Sequence, residues 1–465
     1  MNSNEARWRI ATPVRVLPYV NERPDEAFYL IINVANKRWL KITTQAYEFL
    51  LECSADRPLA EVITETSRRC AVEEEELVTL RDQFIKQGFL IEPGLEQEDV
   101  GSGSCAIDNA GGSVVYLNIT ERCNLECPYC YFNAMSGGRD PLSASEINRI
   151  TDNLAANGVT EVVISGGEPL VRRDIFEILE HARPLFKKIY LLTNGVILAK
   201  YEFCERLLGL VDRVQVSVDG SRPEVHERIR GKGTFTPTIQ AVKNLKEAGV
   251  PEITISMTLT KLNAHDAVNV MELASELGVR FDFNRFTPIG RGYTNRDKLA
   301  LNAQQQLDVF RSVQECAFKT GRIRLDPLYW QLGQPIRLKC SAGETSFFSV
   351  APDGSVYPCH VLHQPQFYIG NALYESDLRL MIKNSPVAQR FRELKVDSRP
   401  KCKECFVRYF CGGGCPANSY AAHGDIRSLD PFCPFYYKFE SAIITGWRYN
   451  LPPVENVERV IERLL

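Results

Sequence analysis

Alternating apolar and polar runs near the start of the chain predict a small sheet with a hairpin. Val14 to Val20 and Phe28 to Asn33 are rich in the β-branched and aromatic residues that strands favour. After a turn at Ala35-Asn36-Lys37, the segment Arg38 to Ile42 can return as a strand partner.

A helical pattern replaces the strand pattern after this sheet. Thr44 can cap a first helix, Ala60 to Arg69 has apolar residues three and four apart, and Glu73 to Gln87 is acidic at its start, as a helix dipole prefers. Residues 10–92 are thus predicted to form a winged-helix-like α+β domain. Residues 93–113 are rich in glycine, serine and acidic residues, which predicts a flexible linker.

From residue 114 to about Arg291, apolar β-rich runs alternate with helical segments such as Ser143 to Asn157 and Thr236 to Ala248. Helical connections of this length are those that join parallel strands. Residues 114–325 are therefore predicted to form a partial (β/α)6 barrel of the α/β class. Its expected strands are Val114 to Ile119, Glu161 to Ser165, Lys188 to Thr193, Arg213 to Val218, Ile253 to Leu259 and Phe281 to Phe286. Ligands of such sheets bind at the carboxyl ends of the strands.

Four of these strand ends are polar or glycine-rich where a plain barrel needs only a turn. Thr120 to Cys130 follows the first strand and holds three cysteines, and Gly166-Gly167-Glu168-Pro169 follows the second. Asn194-Gly195 follows the third, and the fourth ends in Ser217-Val218-Asp219-Gly220. An ordinary turn explains any one of them, but their combination predicts a ligand site at this edge.

The composition excludes several classes of protein. The chain has 465 residues, of which 44% are hydrophobic and 24% charged, so it is neither a disordered tail nor a fibre. That length predicts two or three domains, because single cores stop growing at about 250 to 300 residues. The formal net charge of −3 disfavours a nucleic-acid binder held by bulk charge. The sequence has neither an apolar stretch of membrane-spanning length nor a signal-peptide core, which predicts a cytoplasmic protein.

The fifteen cysteines change this picture most. A large chain without an export signal is expected to use thiolates as metal ligands or in redox chemistry rather than in disulfides. Three of them lie together at Cys123, Cys127 and Cys130, and seven fall in the last third of the chain. The scattered ones are expected to be buried as small hydrophobic residues: Cys53, Cys70, Cys105, Cys204 and Cys316.

Three thiolates spaced C-x3-C-x2-C on one loop can converge on a metal centre while leaving its fourth position without a protein ligand. A structural zinc ion would want four ligands and a closed shell. A cubic iron–sulfur cluster with one free iron can instead bind a substrate or cosubstrate directly. The spacing therefore favours a reactive cluster at Cys123, Cys127 and Cys130 over zinc.

In this setting the chain resembles the radical S-adenosylmethionine enzymes, because these cysteines, with Tyr129 before the last one, reproduce the family's motif after the first barrel strand. The resemblance implies a 4Fe-4S cluster whose fourth iron chelates S-adenosylmethionine. Glu168 would lie near the methionine amino group, and Arg230 would meet the carboxylate. The other residues implied to contact this cosubstrate are Tyr129, Gly166, Gly167 and Asn194, with Ser217 and Asp219 at its ribose.

The implied chemistry is one-electron reduction of the cluster, cleavage of the sulfonium to methionine and a 5′-deoxyadenosyl radical, and hydrogen abstraction from a substrate. A reduced flavodoxin or ferredoxin is the electron donor expected for such a cluster. The sequence assigns no side chain to catalysis on the substrate itself.

The late cysteines follow a second pattern, in which C-x2-C-x5-C-x3-C-x17-C comes after two isolated cysteines. Seven ligands are too many for one tetrahedral site and too few for two closed ones, and a zinc ribbon would leave three without a role. The spacing resembles the SPASM extension of radical enzymes that modify peptides, which implies a cysteine-rich iron–sulfur domain over residues 326–450. The implied ligand sets of its two auxiliary 4Fe-4S clusters are Cys402, Cys405, Cys411 and Cys433 for one, and Cys340, Cys359 and Cys415 for the other.

The fourth ligand of the second auxiliary set stays open. An exposed iron could bind a substrate thiolate and hold its sulfur beside the carbon that loses hydrogen. Cys316 or another side chain could equally close the site. His360 and His363, near Cys359, are alternative ligands, although most histidines are solvent-facing or satisfied in other ways.

The N-terminal domain resembles the peptide-recognition element of ribosomal peptide modification in the order and length of its strands and helices. That resemblance implies that residues 10–92 bind a leader peptide as an added strand at a sheet edge. The alternative is a generic winged-helix module that docks to protein or DNA. The charge balance and the acidic run Glu73 to Glu76 disfavour DNA binding.

Together these resemblances imply a maturase that binds the leader of a ribosomally made precursor peptide and joins a cysteine sulfur to a carbon of another core residue. The alternative reactions are a carbon–carbon crosslink and formylglycine formation of the sulfatase type. A non-catalytic, metal-bound peptide chaperone is the alternative from another class. A short C-terminal helix over residues 451–465 completes the expected domain order, and the oligomeric state is left open.

Overall fold

The computed structural model describes residues 9–11, 14–19, 28–53, 57–91, 113–319 and 336–446, together with residues 459 and 463. The chain divides into two compact units. The first comprises Met1–Cys105, Gln334–Arg337 and Glu404–Phe410, and the second comprises Ala106–Gly333, Leu338–Lys403 and Cys411–Leu465. A short piece of the cysteine-rich region thus belongs to the N-terminal unit.

The first unit begins with strands and continues with helices. Its strands are β1 (Arg9–Ile10), β2 (Val14–Tyr19), β3 (Phe28–Asn33), β4 (Arg38–Ile42) and β5 (Leu90–Ile91), and its helices are α1 (Thr44–Cys53), α2 (Leu59–Cys70) and α3 (Glu74–Lys86). Strands β2, β3 and β4 form an antiparallel sheet in that order, and β1 pairs antiparallel with β5. These elements confirm the predicted strands and helices, except that Val20 lies outside the described residues.

The predicted helix cap at Thr44 is wrong. Thr44 is already the first residue of α1, and Oγ1 of the preceding Thr43 accepts the backbone N–H of Ala46 at 3.2 Å. A capping side chain must lie just outside the helix to reach the first free N–H groups. The two adjacent threonines are equivalent in a sequence pattern, so only the observed helix start separates them.

Successive side chains of β3 point to opposite faces of the sheet, so each face packs against a different part of the first unit. Ile31 faces the helices and packs with Phe49 of α1 in a buried cluster. Phe28 is on the other face, where its ring lies 6.0 Å from the ring of Phe406. Helices therefore pack on one face of this sheet, and the Glu404–Phe410 segment contacts the other.

The second unit is built from βα repeats. Its strands are β6 (Ser113–Asn118), β7 (Val159–Ser165), β8 (Lys188–Thr193), β9 (Arg213–Ser217), β10 (Glu252–Leu259), β11 (Arg280–Arg285), β12 (Phe347–Val350), β13 (Ser355–Tyr357) and β14 (Gly370–Asn371). The helices between β6 and β11 are α4 (Ala144–Ala156), α5 (Ile175–Ala182), α6 (Tyr201–Leu207), α7 (Pro223–Arg230), α8 (Phe235–Glu247) and α9 (Ala267–Glu276). Strands β6 to β11 lie side by side in chain order, and each neighbouring pair is parallel. The predicted α/β class and partial (β/α)6 barrel are thus confirmed.

The sheet continues beyond the predicted barrel strands. Among the described residues its order is β11-β10-β9-β8-β7-β6-β12-β13-β14. Strand β12 pairs parallel with β6, whereas β13 and β14 add antiparallel strands. The remaining helices are α10 (Arg291–Thr294), α11 (Arg296–Leu299), α12 (Ala303–Lys319), α13 (Leu378–Asn384), α14 (Pro386–Arg392), α15 (Arg408–Cys411), α16 (Pro416–His423) and α17 (Cys433–Gly446). The cysteine-rich region therefore shares its sheet with the barrel.

The main core of the second unit lies between this sheet and the helices outside it. Val115 and Leu117 of β6 pack with Ile150 of α4 and Leu179 of α5, and all of these side chains are at most 1% exposed. Burying apolar groups of this size stabilises the fold by about 1.5–3 kcal/mol each. The packing holds the carboxyl ends of the strands in one row, from which the loops with the predicted site residues depart.

The scattered cysteines are not all buried. Cys53 and Cys204 lie in the hydrophobic clusters of the first and second units, as predicted. Cys70 and Cys316 are half-buried, so the expectation of full burial is wrong for these two. Both lie on helices, α2 and α12, whose outer faces meet solvent.

Part of the predicted domain order lies outside the described residues. The linker at 93–113 falls there except for Ser113, which begins β6. The C-terminal helix at 451–465 falls there apart from residues 459 and 463, and so does Cys105. No helix within the described ranges is both long and apolar enough to cross a lipid bilayer.

Candidate functional site

The carboxyl ends of the parallel strands open into a cavity of about 600 Å³, which we call the upper cavity. Its wall combines the loops after β6, β7 and β8 with residues of β9, β10, β11 and α7 and of the cysteine-rich region. The predicted site residues that line it are Cys123, Cys127, Tyr129, Cys130, Gly166, Gly167, Glu168, Asn194, Ser217, Arg230, Cys359 and Cys415. One space thus collects the first cysteine loop and two of the late cysteines.

The loop with the first cysteines is held by backbone contacts. The Cys130 N–H donates to the carbonyl of Cys127 at 3.2 Å. The Arg291 guanidinium donates to the same Cys127 carbonyl at 3.0 Å and to the carbonyl of Ala134 at 2.7 Å. These bonds fix the loop so that the thiols of Cys123, Cys127 and Cys130 line one cavity wall.

Burial makes these thiols poor thiolates on their own. It raises the pKa of Cys123 to about 12 and that of Cys127 to about 11. A metal ion reverses this effect, because a coordinated thiol loses its proton outright. In the described part of the chain, no three His, Cys, Asp or Glu side chains converge closely enough to hold one ion. A 4Fe-4S cluster is larger than one ion and is held by Cys thiolates, and the three cysteines that line this cavity provide such donors.

The two glycines after β7 are required by the cysteine loop. A Cβ on Gly167 would lie 2.0 Å from the Arg122 carbonyl oxygen, and one on Gly166, where φ is +131°, would lie 2.6 Å from the Thr120 oxygen. The loops are also bonded, since the Gly167 N–H donates to the Thr120 carbonyl at 2.9 Å. Only glycine permits so close an approach of two backbones. The loop after β7 therefore holds the cysteine loop after β6 in position.

Glu168 ties the second strand end to the third. Its carboxylate accepts hydrogen bonds from Thr193 Oγ1 at 2.8 Å, from the Asn194 N–H at 2.7 Å and from the Leu170 N–H at 3.2 Å. The side chain lines the upper cavity but is only 1% exposed, and burial raises its pKa to about 7 despite these bonds. A cationic group in the cavity would favour the charged carboxylate.

Asp219 lies behind the cavity wall rather than in it. The residue is fully buried, and its Oδ2 accepts the Tyr129 hydroxyl at 2.5 Å and Arg230 Nε at 2.6 Å. Its Oδ1 accepts the Thr258 N–H at 2.9 Å. Tyr129, Arg230 and Ser217 do line the upper cavity. Asp219, predicted to contact the cosubstrate ribose, is thus placed to orient Tyr129 and Arg230.

The late cysteines fall into neighbouring groups. Cys340, Cys359 and Cys415 pack against one hydrophobic cluster. Burial, with the nearby thiols of Cys415 and Cys340, raises the pKa of Cys359 well above its ordinary value. Cys411 lies near enough to Cys433 to interact electrostatically, and burial raises the pKa of Cys411 to about 12. Cys340, Cys359 and Cys415 are one of the ligand sets implied by the sequence, and Cys411 with Cys433 is half of the other. The assignment of either set to a cluster stays a prediction.

The alternative ligands lie in different places. His360 lines the upper cavity, with Nδ1 3.9 Å from Cys359 Sγ, and burial lowers its pKa to about 4, so the ring is neutral. His363 instead forms a 2.9 Å hydrogen bond with Ser349. The thiol of Cys316 on α12 contacts α9. His360 is thus the alternative ligand that reaches the cavity.

The last barrel strand contributes residues that the sequence analysis did not assign. Asp282, Asn284 and Arg285 of β11 line the upper cavity. The sequence offers a signal for these residues, since every second residue of Arg280-Phe281-Asp282-Phe283-Asn284 is polar. A parallel strand that is covered on both faces would be apolar throughout. This alternation indicates a polar inner face. Arg285 does not follow this alternation, so its position at the carboxyl end of the strand is the sequence feature that indicates a place in the cavity wall.

The barrel and the cysteine-rich region match known family models. A model of the radical SAM superfamily matches residues 117–294, and a model of the SPASM iron–sulfur cluster-binding domain matches residues 340–406. The mycofactocin maturase MftC of Mycolicibacterium smegmatis is 31% identical over 68% of this chain and 81% of its own length. The AdoMet-dependent heme synthase of Methanosarcina barkeri is 30% identical over 70% and 97%. The PqqA peptide cyclase of Bradyrhizobium diazoefficiens is 29% identical over 69% and 85%.

Solved structures share the fold. The structure of anSMEcpe with bound AdoMet matches 76% of this chain and 98% of its own, with a TM-score of 0.60 and 20% identity. Streptococcus suis SuiB bound to the precursor peptide SuiA matches 91% of this chain and 98% of its own, with a TM-score of 0.54 and 16% identity. At these identities the likeness is one of fold.

Proposed function

The chain belongs to the radical SAM superfamily and carries its SPASM iron–sulfur domain, and on that basis we propose that it is a peptide maturase that forms thioether crosslinks in a ribosomally made precursor. The observation that carries the proposal is the composition of the upper cavity, where Cys123, Cys127 and Cys130 meet Cys359 and Cys415. A substrate in this cavity lies against both the cosubstrate site and an auxiliary cluster.

The superfamily's cofactors, a 4Fe-4S cluster and S-adenosylmethionine, supply one-electron hydrogen-abstraction chemistry when bound. Cys123, Cys127 and Cys130 would hold the cluster. Arg230, oriented by its hydrogen bond to Asp219, would bind the cosubstrate carboxylate. The cavity wall around these residues would limit the access of water to the reacting groups once a substrate is bound.

The two late cysteines that line the same cavity, Cys359 and Cys415, support a thioether as the product. Each crosslink breaks one S–H and one C–H bond and forms one S–C bond, so the peptide loses two protons and two electrons. One hydrogen atom would go to the 5′-deoxyadenosyl group that S-adenosylmethionine supplies, the second electron would go to a bound iron–sulfur cluster, and the thiol proton would go to solvent. An auxiliary cluster on Cys340, Cys359 and Cys415 with an open iron would deprotonate the substrate thiol and hold its sulfur in the cavity.

The first unit would recognise the leader. Its sheet has β2 and β4 as the end strands among those described. Pro18 leaves β2 without one backbone donor, and an added peptide strand would lie at one of these two end strands. Affinity would come from backbone hydrogen bonds and selectivity from side-chain pockets beside the strand.

A carbon–carbon crosslink is the second candidate, and the similarity to a PqqA peptide cyclase favours it. Both reactions need the same cavity and the same hydrogen abstraction. They differ in whether a substrate sulfur is consumed. A reduced flavodoxin or ferredoxin would supply electrons in either case.

Anaerobic co-expression with short cysteine-containing precursors, followed by thiol alkylation and high-resolution mass spectrometry, tests the proposal. Thioether formation predicts the loss of two hydrogens per crosslink, a cysteine that no longer alkylates, and no change on reduction. The same loss with alkylatable thiols would show a carbon–carbon crosslink instead. No modification by an iron-loaded protein that cleaves S-adenosylmethionine would contradict both.

Matched variants separate chemistry from recognition. Cys127→Ala should abolish 5′-deoxyadenosine formation and leave leader binding intact, whereas Cys70→Ala on α2 should change neither. Cys316→Ala should also leave crosslinking unchanged, because its thiol contacts α9. Loss of leader binding in Cys127→Ala would show that the cysteine loop is structural.

A further inference from the structure

Arg285 has a position that the proposed chemistry does not use. It is the last residue of β11, paired with Leu259 at the carboxyl end of β10. Its side chain lines the upper cavity and also a second, lower cavity of about 450 Å³ that extends along the same strand towards Arg280. Residues at carboxyl ends of parallel strands are those that meet ligands.

The guanidinium of Arg285 is held by aromatic faces. It lies 4.6 Å from the ring centroid of Tyr436 and 5.5 Å from that of Phe435, both on α17. Among the described residues, its side chain forms neither a hydrogen bond nor an ion pair with another side chain. Cation–π contacts neutralise little of the charge and leave the planar N–H donors available.

Arg285 remains charged in this setting. Burial lowers its pKa, but the neighbouring Tyr436, Asp430, Cys415 and Cys411 raise it by more. An arginine is in any case not deprotonated in a protein. The upper cavity therefore carries a permanent cation at the end of β11.

The other cations of the upper cavity already have partners. Arg230 is paired with Asp219 at 2.6 Å. Arg291 donates to the backbone carbonyls of Cys127 and Ala134. Asp430 lies near enough to raise the pKa of Arg285, but among the described residues its carboxylate accepts from the N–H groups of Cys415 and Phe432 and not from the guanidinium. The N–H donors of Arg285 are therefore suited to an anionic group that arrives with a ligand.

We propose that Arg285 binds a carboxylate of the peptide substrate and so sets which residue of the core enters the upper cavity. The inference rests on the proposed function, since it takes the substrate to be a peptide. The rigid guanidinium fork matches a carboxylate with two parallel hydrogen bonds, which gives orientation as well as affinity. Either an acidic side chain near the crosslinked residue or the peptide's C-terminus provides this group.

Binding of synthetic precursor to the iron-loaded protein tests the proposal. Three peptides are compared: the natural sequence, a form with acidic core side chains changed to amides, and a form with an amidated C-terminus. Arg285→Gln should weaken binding of the natural peptide about 10- to 100-fold, and Arg285→Lys should restore part of the loss. One of the two altered peptides should bind to wild type and to Arg285→Gln with equal affinity. That peptide lacks the carboxylate that Arg285 contacts, so it shows whether this group is an acidic side chain or the C-terminus.

The matched control is Arg280→Gln on the same strand. Arg280 lines only the lower cavity of the two and pairs with Glu252 at 2.8 Å. This variant should bind all three peptides as wild type does. Iron content and the melting temperature confirm that each variant is folded and loaded.

Three results would overturn the proposal. The first is an unchanged affinity of Arg285→Gln for the natural peptide, and the second is an equal loss for all three peptides. The third is a shift in the EPR signals of the auxiliary clusters without any change in peptide affinity, which would show that the guanidinium serves the clusters. A wild-type protein that binds the peptide but crosslinks nothing contradicts the proposed function and leaves the binding comparison intact.

Discussion

The hydroxyl of Tyr129 donates a 2.5 Å hydrogen bond to Oδ2 of Asp219, joining the loop after the first parallel strand to the end of the fourth. Arg230 donates to the same carboxylate oxygen. Tyr129 and Arg230 are therefore oriented by a residue that does not reach the cavity. The cluster loop and the cosubstrate site are linked through one buried carboxylate.

Asp219→Asn should damage cosubstrate binding and stability together. The amide leaves the Arg230 cation without its buried counter-charge, which is expected to cost about 3 kcal/mol or more. Isothermal titration with S-adenosylmethionine should show at least about tenfold weaker binding, and the melting temperature should fall. Asp212→Asn, which removes the partly exposed pair with Arg183, is the control and should cost only about 1 kcal/mol.

The affinity for S-adenosylmethionine should depend on Glu168 ionisation. Burial raises the pKa of this carboxyl to about 7. The N–H donors of the cosubstrate's amino group favour the charged form, so affinity should rise as pH increases from 6 to 8, with a slope of at most about tenfold per unit. Glu168→Gln should bind more weakly and lose this pH dependence. An unchanged slope in that variant would assign the titration to another group.

The same carboxyl should lower the stability of the cosubstrate-free protein at high pH. Between the ordinary pKa of 4.5 and about 7 the folded protein binds the proton more tightly than the unfolded chain. Unfolding therefore releases the proton in this window, and the free energy of unfolding falls as pH rises through it. The total is at most about 3 kcal/mol. Denaturant titrations of wild type and Glu168→Gln should diverge across this range.

Gly167→Ala should dislodge the cysteine loop. The added Cβ would lie 2.0 Å from the backbone oxygen of Arg122, so one of the two loops must move. After anaerobic reconstitution we expect about four fewer irons per chain and no cleavage of S-adenosylmethionine. Gly137→Ala is the matched control, because its Cβ would meet no atom within 4 Å. Equal iron contents would show that the contact between the loops is dispensable.

Phe406 connects the cysteine-rich region to the N-terminal sheet within the first unit. Its ring lies 5.0 Å from Tyr19 and 6.0 Å from Phe28. Phe406→Ala should destabilise the protein by about 1–3 kcal/mol, since two aromatic contacts are lost. Leader affinity should fall more than the rate of S-adenosylmethionine cleavage. Tyr374→Ala removes a ring that is 77% exposed and should change neither.

Local patterns were enough to predict the barrel and its first cysteine loop. The βα alternation sets parallel pairing over short loops, and Cys123, Cys127 and Cys130 lie within eight residues, so their proximity needs no tertiary information. Ligands of parallel sheets bind at the carboxyl ends of the strands, which predicted that Glu168, Asn194 and Ser217 lie at one edge of the sheet. All three line the upper cavity. Such features depend on backbone geometry over a few residues.

Contacts between distant segments were decided by tertiary structure. Strand β12 joins β6 across much of the chain, and α17 supplies the rings that hold Arg285. Asp219 has a residue type and a strand position that suit a ligand contact. Tyr129 and Arg230 bind its carboxylate, and Asp219 is buried behind the cavity wall. Residue type and spacing determine which groups arrive at an edge of the sheet. Which of them face the ligand is set by the packing of side chains from elements far apart in sequence.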